Sequence, residues 1–484
     1  MSIDYDIVII GGSLAGRYAA LAATQFRAKV ALVESRVDYG LIYQQAMGEI
    51  ANLAQSWDDL PGFGINLTHP NTAEKCQISV DWQEVMLYAK GVVSNIHEQN
   101  SAAVLAAQGV DVIFGSGQFQ ASPHLAFAVN QRLLRGRTYL LASGSRPAIP
   151  EIEGLSATGY LSLSNIWQSF SASTLPQDWV IIGVVPQSIE VAQTLVRLGC
   201  KVTLIIQYSH LLPHIDPEIS QLLQAQLEAD GVRILTETVV TQVRRIDDKK
   251  WIQAGDKAIE ADEILVATGQ QPNLESLNLA AARVKWYPNR LLVNEKLQTT
   301  NSRIYACGDV IGGYDFPNLA HYEARIAIKN ALFLPRLKVD YQYIPWGIFS
   351  YPNLAQVGLT QVQAQREFGR KDILVLKHYY KSVAAAQIGN QTTGICKLIV
   401  RRNGEILGAT ILGAAARELI NIIALAMSQK INIKHLGNLS VIYPSLSEII
   451  EQTAQLWNQQ KLNSNLALQD WLEGFFYLRR NWNL

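Results

Sequence analysis

The apolar positions of this chain change rhythm several times in its opening stretch. "YDIVII", from Tyr5, is an almost unbroken apolar run, which suits a strand buried on both faces. "GGSLAG" follows as a glycine turn, then "RYAALAATQF" at helical spacing, then the apolar strand "VALVE" closing on Glu34. Strand, glycine turn, helix, strand is a βαβ unit with the layout that holds a dinucleotide. A second unit of the same shape occupies "WVIIGVVPQSIEVAQTLVRLGCKVTLIIQ", Trp179 to Gln207, so the chain repeats itself at the scale of a domain. Between the two, "GVDVIFGSGQF" and "TYLLASGSRPAIP" predict short strands closed by glycine turns and Pro147. "RIYACGDVIGG" predicts a strand running into Gly308 and Asp309, with a helix from about Asn318 to Leu332 after it.

From about residue 340 the pattern changes. "ICKLIVRR" and "EILGATILG" alternate as antiparallel strands do, and "ARELINIIALAMSQK" has helical spacing. The reading is an α/β chain: a first Rossmann-like domain over 1–150 continued by 268–339, a second over 151–267, and an α+β domain over 340–460. A tail over 461–484 follows. In it Leu468, Trp471, Leu472, Phe475, Leu478 and Trp482 share one helical face, with Arg479 and Arg480 close by. That pattern fits an interfacial membrane helix, a partner groove, or a helix docked on its own dimer.

Composition narrows the classes. Hydrophobic residues make up 49% and charged residues 17%, as in a folded globular chain. Lys+Arg and Asp+Glu both number 41, so no net charge draws it to nucleic acid. Cys76, Cys200, Cys307 and Cys396 are scattered, with no CxxC or CxxxxC pair. Scattered thiols, no signal-peptide pattern and no long apolar run predict a cytoplasmic protein.

In "GGSLAG", Gly11 permits the tight turn and Gly16 the close helix–strand packing, while Ser13 replaces the middle glycine. With "ASGSRPAIP" (142–150), "ATGQQPN" (267–273), "IYACGDV" (304–310), "AHYEARIAIKN" (320–330), "FSYPNLAQVGLT" (349–360) and "YPSLSE" (443–448), it forms an ordered series. The series resembles the pyridine nucleotide–disulfide oxidoreductases, nearest to their dihydrolipoamide dehydrogenase and mercuric reductase-like members, over residues 4–460. The resemblance implies FAD on the first unit, NAD(P)H on the second, and a homodimer built by the third domain. It implies that Gly11, Gly12, Ser13, Ala15, Gly16, Glu34, Ser143, Gly144, Gly308, Asp309, Ala320 and His321 hold FAD. Gly11, Gly12 and Gly16 would flank the pyrophosphate, Glu34 the adenosine ribose and Asp309 the ribityl and phosphate region. A helix N-terminus at Ala320 and His321 would face the flavin pyrimidine edge.

The departures bear on chemistry. A gapless overlay from Glu34 puts Ile42 and Met47 where the family pattern carries its redox cysteines, and Ala51 where its lysine stands. Neither Ile nor Met can form the attacking thiolate. The helix "LIYQQAMGE" then offers Gln44 or Gln45 to a pocket. The family's histidine is Tyr443, with Glu448 retained, and Glu190 matches a glutamate near the flavin. In the second unit, Val185 replaces the central glycine and Ile206 the acidic hook, which argues against tight NAD(P)H binding. The expectation is an FAD-dependent oxidoreductase of a small-molecule substrate that reacts at the flavin without a disulfide, with Tyr443, Glu448, Gln44 and Glu190 as catalytic candidates and no metal. Two alternatives stay open: an NAD(P)H-dependent reductase of a quinone or metal ion, and a non-catalytic flavin-bearing sensor or partner-binding protein.

Overall fold

The computed structural model describes residues 3–34, 39–58, 60–63, 80–121, 123–170, 175–313, 315–463 and 466–482. Cys76 lies outside them. The chain divides into two compact bodies, Met1–Ser209 with Leu227–Val339, and His210–Gln226 with Asp340–Leu484.

The first body opens with β1 (Tyr5–Ile10), α1 (Leu14–Gln25), β2 (Val30–Glu34), α2 (Gly40–Asp58) and α3 (Trp82–Gln99). Two further strands are β3 (Val110–Phe114) and β4 (Gly136–Leu141). With the strand Ile304–Ala306 they make a parallel sheet in the order Ile304–Ala306, β4, β1, β2, β3. Ile7, Val8 and Ile9 are fully buried because helices and a smaller sheet cover both faces, and this is why the run shows no alternation. Ile304–Ala306 thus joins a sheet otherwise built from the first 141 residues.

The second sheet contains β5 (Asp178–Ile182) and β6 (Lys201–Ile205), linked by α4 (Pro186–Arg197). Its order is Arg233–Leu235, β6, β5, Glu263–Val266, Leu161–Ser162, all parallel. The helix expected near Asn318 is α5 (Pro317–Leu332), which starts on a proline at a position where the missing N–H costs nothing.

The second body holds an antiparallel sheet in the order Trp346–Ile348, Asn353–Gly358, Ile406–Gly413, Ile395–Arg401, Ile373–Tyr379. The helix Ala416–Ser428 and α6 (Glu448–Asn463) pack on it through Ile420, Ile423, Ile449 and Trp457. α7 (Leu466–Asn481) ends the described chain and buries none of its residues.

One boundary differs from the sequence reading, which put 151–267 in a single domain. Residues His210–Gln226 belong with the second body. The cause is a buried charge cluster. Lys397 is 2% exposed, and its Nζ lies 2.9 Å from Asp216 Oδ2 and 2.5 Å from Glu218 Oε1. It also donates to Gln361 Oε1 at 2.9 Å, while Lys377 takes the other oxygen of Glu218. Burial works against the Glu218 carboxylate, but hydrogen bonds from Lys377 and Lys397 outweigh it and hold it below the usual range. Such a cluster is strongly destabilising to break from one side. Lys397→Ala should therefore cost about 3–5 kcal/mol by urea denaturation at pH 7. A loss below about 1 kcal/mol would show that the cluster is not closed in solution.

Candidate functional site

The turn between β1 and α1 builds the floor of the site. Gly11 has φ +121°, and a Cβ there would lie 2.1 Å from the Ala142 carbonyl oxygen. One at Gly16 would lie 2.0 Å from the Gly11 oxygen, so both glycines answer to backbone contact. Ser13 caps α1: its Oγ accepts from the Gly16 N–H at 3.3 Å and donates to the Ala142 oxygen at 3.1 Å. The serine that breaks the glycine fingerprint thus ties the turn to β4.

Above this turn runs a groove of about 780 Å³. Gly11, Gly12, Ser13 and Ala15 line it from one side, Ser143 and Gly144 from a second, Gly308, Asp309 and Ala320 from a third. Two motifs distant in sequence close one wall. Ser143 Oγ donates to the Asn273 oxygen at 2.9 Å, and Asn273 Nδ2 returns to the Ser143 oxygen at 3.1 Å. The strands Ser145–Pro147 and Gln270–Pro272 pair alongside.

Asp309 is set by the 3₁₀ turn Gly308–Ile311, and Ser145 Oγ donates to it at 3.3 Å. Burial pushes its carboxyl above the ordinary value, against hydrogen bonds from Ser145 and Asp315, and neighbouring Glu323 adds to the push. Glu323 itself accepts the Gly308 N–H at 2.7 Å. Cys307 beside it is wholly buried, and burial together with Glu323 and Asp309 holds its thiol protonated.

Three expected FAD contacts already have partners within the chain. Glu34 ends β2 as expected, but it is 3% exposed and both its oxygens accept from Arg17 Nη2, at 2.9 and 2.8 Å. Arg17 also donates from Nε to the Gly12 oxygen and from Nη1 to the Asn100 oxygen. The hook is therefore an ion pair rather than an open carboxylate, and Arg17 went unread because a lone arginine on an alanine-rich helix looks like a surface residue. The Ala320 N–H is spent on the Phe316 oxygen at 3.1 Å, because α5 begins three residues earlier than the motif suggested. His321 stacks on Tyr18 at 4.8 Å, and burial lowers its pKa.

The four catalytic candidates fall in both bodies, Gln44 and Glu190 in the first, Tyr443 and Glu448 in the second. Gln44 is 5% exposed, and its amide is consumed inside the fold: Oε1 accepts from Trp167 Nε1 at 2.8 Å and Nε2 donates to Thr194 Oγ1 at 3.2 Å. A buried amide must be satisfied, which makes Gln44 a positioning residue. Its neighbour Gln45 reaches Glu190, with Nε2 donating to Oε2 at 2.9 Å. Met47 and Ala51 are buried in the same helix. Glu448 is 6% exposed and starts α6, where it accepts the Ser445 N–H at 2.9 Å as a helix cap. Tyr443, 76% exposed, stands on the surface of the second body. A cavity of about 90 Å³ shares Leu41, Ser164, Gln270 and Asp315 with the groove and is further lined by Gln44 and Gln187.

In the second unit Gly183 keeps its turn, with φ +90°. Beyond it the helix end is self-capped. Ser188 Oγ accepts the Val185 N–H at 3.1 Å and donates back to the Val185 oxygen at 2.9 Å. Ile206 is 1% exposed, so no side chain there reaches solvent. Among the described residues no group of His, Cys, Asp and Glu is placed to hold a metal ion.

Two parallel-sheet domains in tandem, a glycine turn under a long groove and a separate antiparallel domain define a flavoprotein oxidoreductase of the two-dinucleotide type. The chain belongs to the pyridine nucleotide-disulphide oxidoreductase family, whose profile matches residues 5–325, and its dimerisation domain matches residues 344–454. It is 32% identical to a mercuric reductase of Staphylococcus aureus over 466 residues, covering 93% of this chain and 82% of that protein. It is 29% identical to a dihydrolipoyl dehydrogenase of Bacillus subtilis, covering 92% and 97%. LpdA of Mycobacterium tuberculosis shares the fold with a TM-score of 0.83 at 22% identity, covering 93% of this chain and 98% of that one. The HOCl-induced flavoprotein disulfide reductase RclA of Escherichia coli gives 0.80 at 24%, covering 93% and 100%. The cofactor is FAD, and the glycine turn lining the groove at the start of α1 fits its pyrophosphate.

Because Asp309 ionises at a cost in the fold, Asp309→Asn should raise the melting temperature of the flavin-free protein at pH 7. The gain should vanish below the ordinary carboxylate value of 3.8, where wild-type Asp309 is protonated in both states. The same variant should bind FAD about tenfold or more weakly, having lost a charged acceptor. Melts at both pH values and a flavin titration check this.

Proposed function

We propose that this protein is an FAD-dependent oxidoreductase whose small-molecule substrate exchanges electrons with the flavin directly, without a cysteine relay. The observation that carries the reading is α2. It has no cysteine, and where the family pattern would put its pair, this chain has Ile42 and buried Met47. The described cysteines are all buried, with Cys200 and Cys396 pushed up to about 12 by burial, so they make poor nucleophiles. When bound, FAD supplies two-electron and one-electron transfer.

The chain's own residues then bind and orient. Gly11, Gly12, Ser13, Ala15 and Gly16 hold the pyrophosphate at the α1 N-terminus, Ser143 and Gly144 bound the groove, and Gly308 presents Asp309 to the ribityl chain. Glu34 serves the adenosine end only as part of its pair with Arg17. Gln45 donates to Glu190 as a neutral amide. The amide-lined cavity beside the groove suits a small polar substrate, with Gln187 and Gln270 as hydrogen-bonding groups. Tyr443 and Glu448 enter, as the resemblance implies, from the partner of a homodimer; Tyr443 is a hydrogen-bond donor and Glu448 holds its helix. The buried thiols fit a reducing compartment such as the cytoplasm.

A second reading has NAD(P)H as donor to a quinone or metal ion, favoured by the intact Gly183 turn and by the mercuric reductase likeness. The self-capped Val185 and the buried Ile206 weigh against tight binding.

Anaerobic two-electron reduction should take the flavin from oxidised to reduced with no thiolate-to-flavin charge-transfer band, and native alkylation should leave the spectrum unchanged. A long-wavelength band removed by alkylation would overturn the proposal. Rapid bleaching by NADH or NADPH would select the second reading.

A further inference from the structure

The strongest feature outside the flavin groove is α7. Trp471, Leu478 and Trp482 are 62%, 66% and 74% exposed, and Phe475 and Phe476 are 42% and 47% exposed. Trp471 stacks on Phe475 at 5.5 Å and Phe475 meets Phe476 edge-on at 5.4 Å, so these three rings form one continuous patch. The helix lies past residue 454, where the match to the dimerisation domain ends.

The distribution of charge says what would cover it. Residues 468, 471, 472, 475, 478 and 482 follow the three- and four-residue spacing of one stripe. Arg479 falls inside that stripe, four residues after Phe475 and three before Trp482. The helix's two acids, Asp470 and Glu473, stand three apart on the opposite stripe, which Tyr477 and Arg480 continue. The apolar face is thus cationic only. Paired with a second copy of itself, it would bury Arg479 with no acid from either helix in the seam, at a high cost in desolvation. Laid on an anionic bilayer, the same arginine extends from the apolar layer to a phosphate, and the tryptophans sit at headgroup depth. Among the described residues no helix is long and apolar enough to cross a membrane, so α7 would lie along the surface.

We infer that α7 docks the protein on an anionic phospholipid surface, with Trp471, Phe475 and Trp482 entering the interface and Arg479 meeting lipid phosphate. This surface is independent of the flavin reading, and its test does not use activity.

The full-length, FAD-loaded protein is sedimented with vesicles of phosphatidylcholine alone or of equimolar phosphatidylcholine and phosphatidylglycerol. Binding is expected on the anionic vesicles and only weakly on the neutral ones. The combined variant Trp471→Ser, Phe475→Ser, Trp482→Ser should lose about tenfold or more of it. Its melting temperature and solution mass should equal those of the wild type. Arg479→Glu should weaken binding to the anionic vesicles alone. Failure of the wild type to sediment with anionic vesicles overturns the inference, as does equal sedimentation with both kinds. A changed mass or lower melting temperature in the triple variant overturns it too, since a second copy would then cover the face.

Discussion

The flavin groove depends on one close approach. The chain turns at Gly11 beneath the Ala142 carbonyl, and α1 starts so near the turn that Gly16 rests on the Gly11 oxygen. No side chain fits at either point. That contact sets where α1 points its free N–H groups and how far β4 stands from the groove floor. Ser13, tying the turn to β4, keeps the geometry where a third glycine is missing. Everything hung around the groove, from the Ser143–Asn273 clasp to Asp309, takes its distance from this floor.

Much of this was legible in the sequence because it rests on backbone requirements. Glycines that need a positive φ, apolar runs without alternation and a proline opening a helix each have few physical readings. The site's side chains were less legible. Gln44 and Gln45 are adjacent, and one step along a helix turns a side chain by about 100°. Which amide met Glu190 and which lined the small cavity therefore depended on the packing of α2 against α4. Arg17 could not be weighed without Glu34 in space. The segment His210–Gln226 misled for a similar reason: its partner Lys397 sits within an apolar strand and gives no local sign of pairing.

The helix α2 is fixed by amides. Gln44 and Gln45 stitch it to Trp167, Thr194 and Glu190. Buried amides with both ends satisfied hold geometry well and carry no electrons. In the second unit Ser188 caps its helix in the same economical way.

The Lys397 cluster has a consequence for how the protein is made. Glu218 leaves the ribosome 179 residues before Lys397. Until then the Asp216 carboxylate lacks the lysine it is buried against, and Glu218 can meet only Lys377. Closing so long a loop adds little to the entropy of the finished fold but delays its completion. Until the strand Ile395–Arg401 is made, the nascent chain therefore carries Asp216 without its buried lysine.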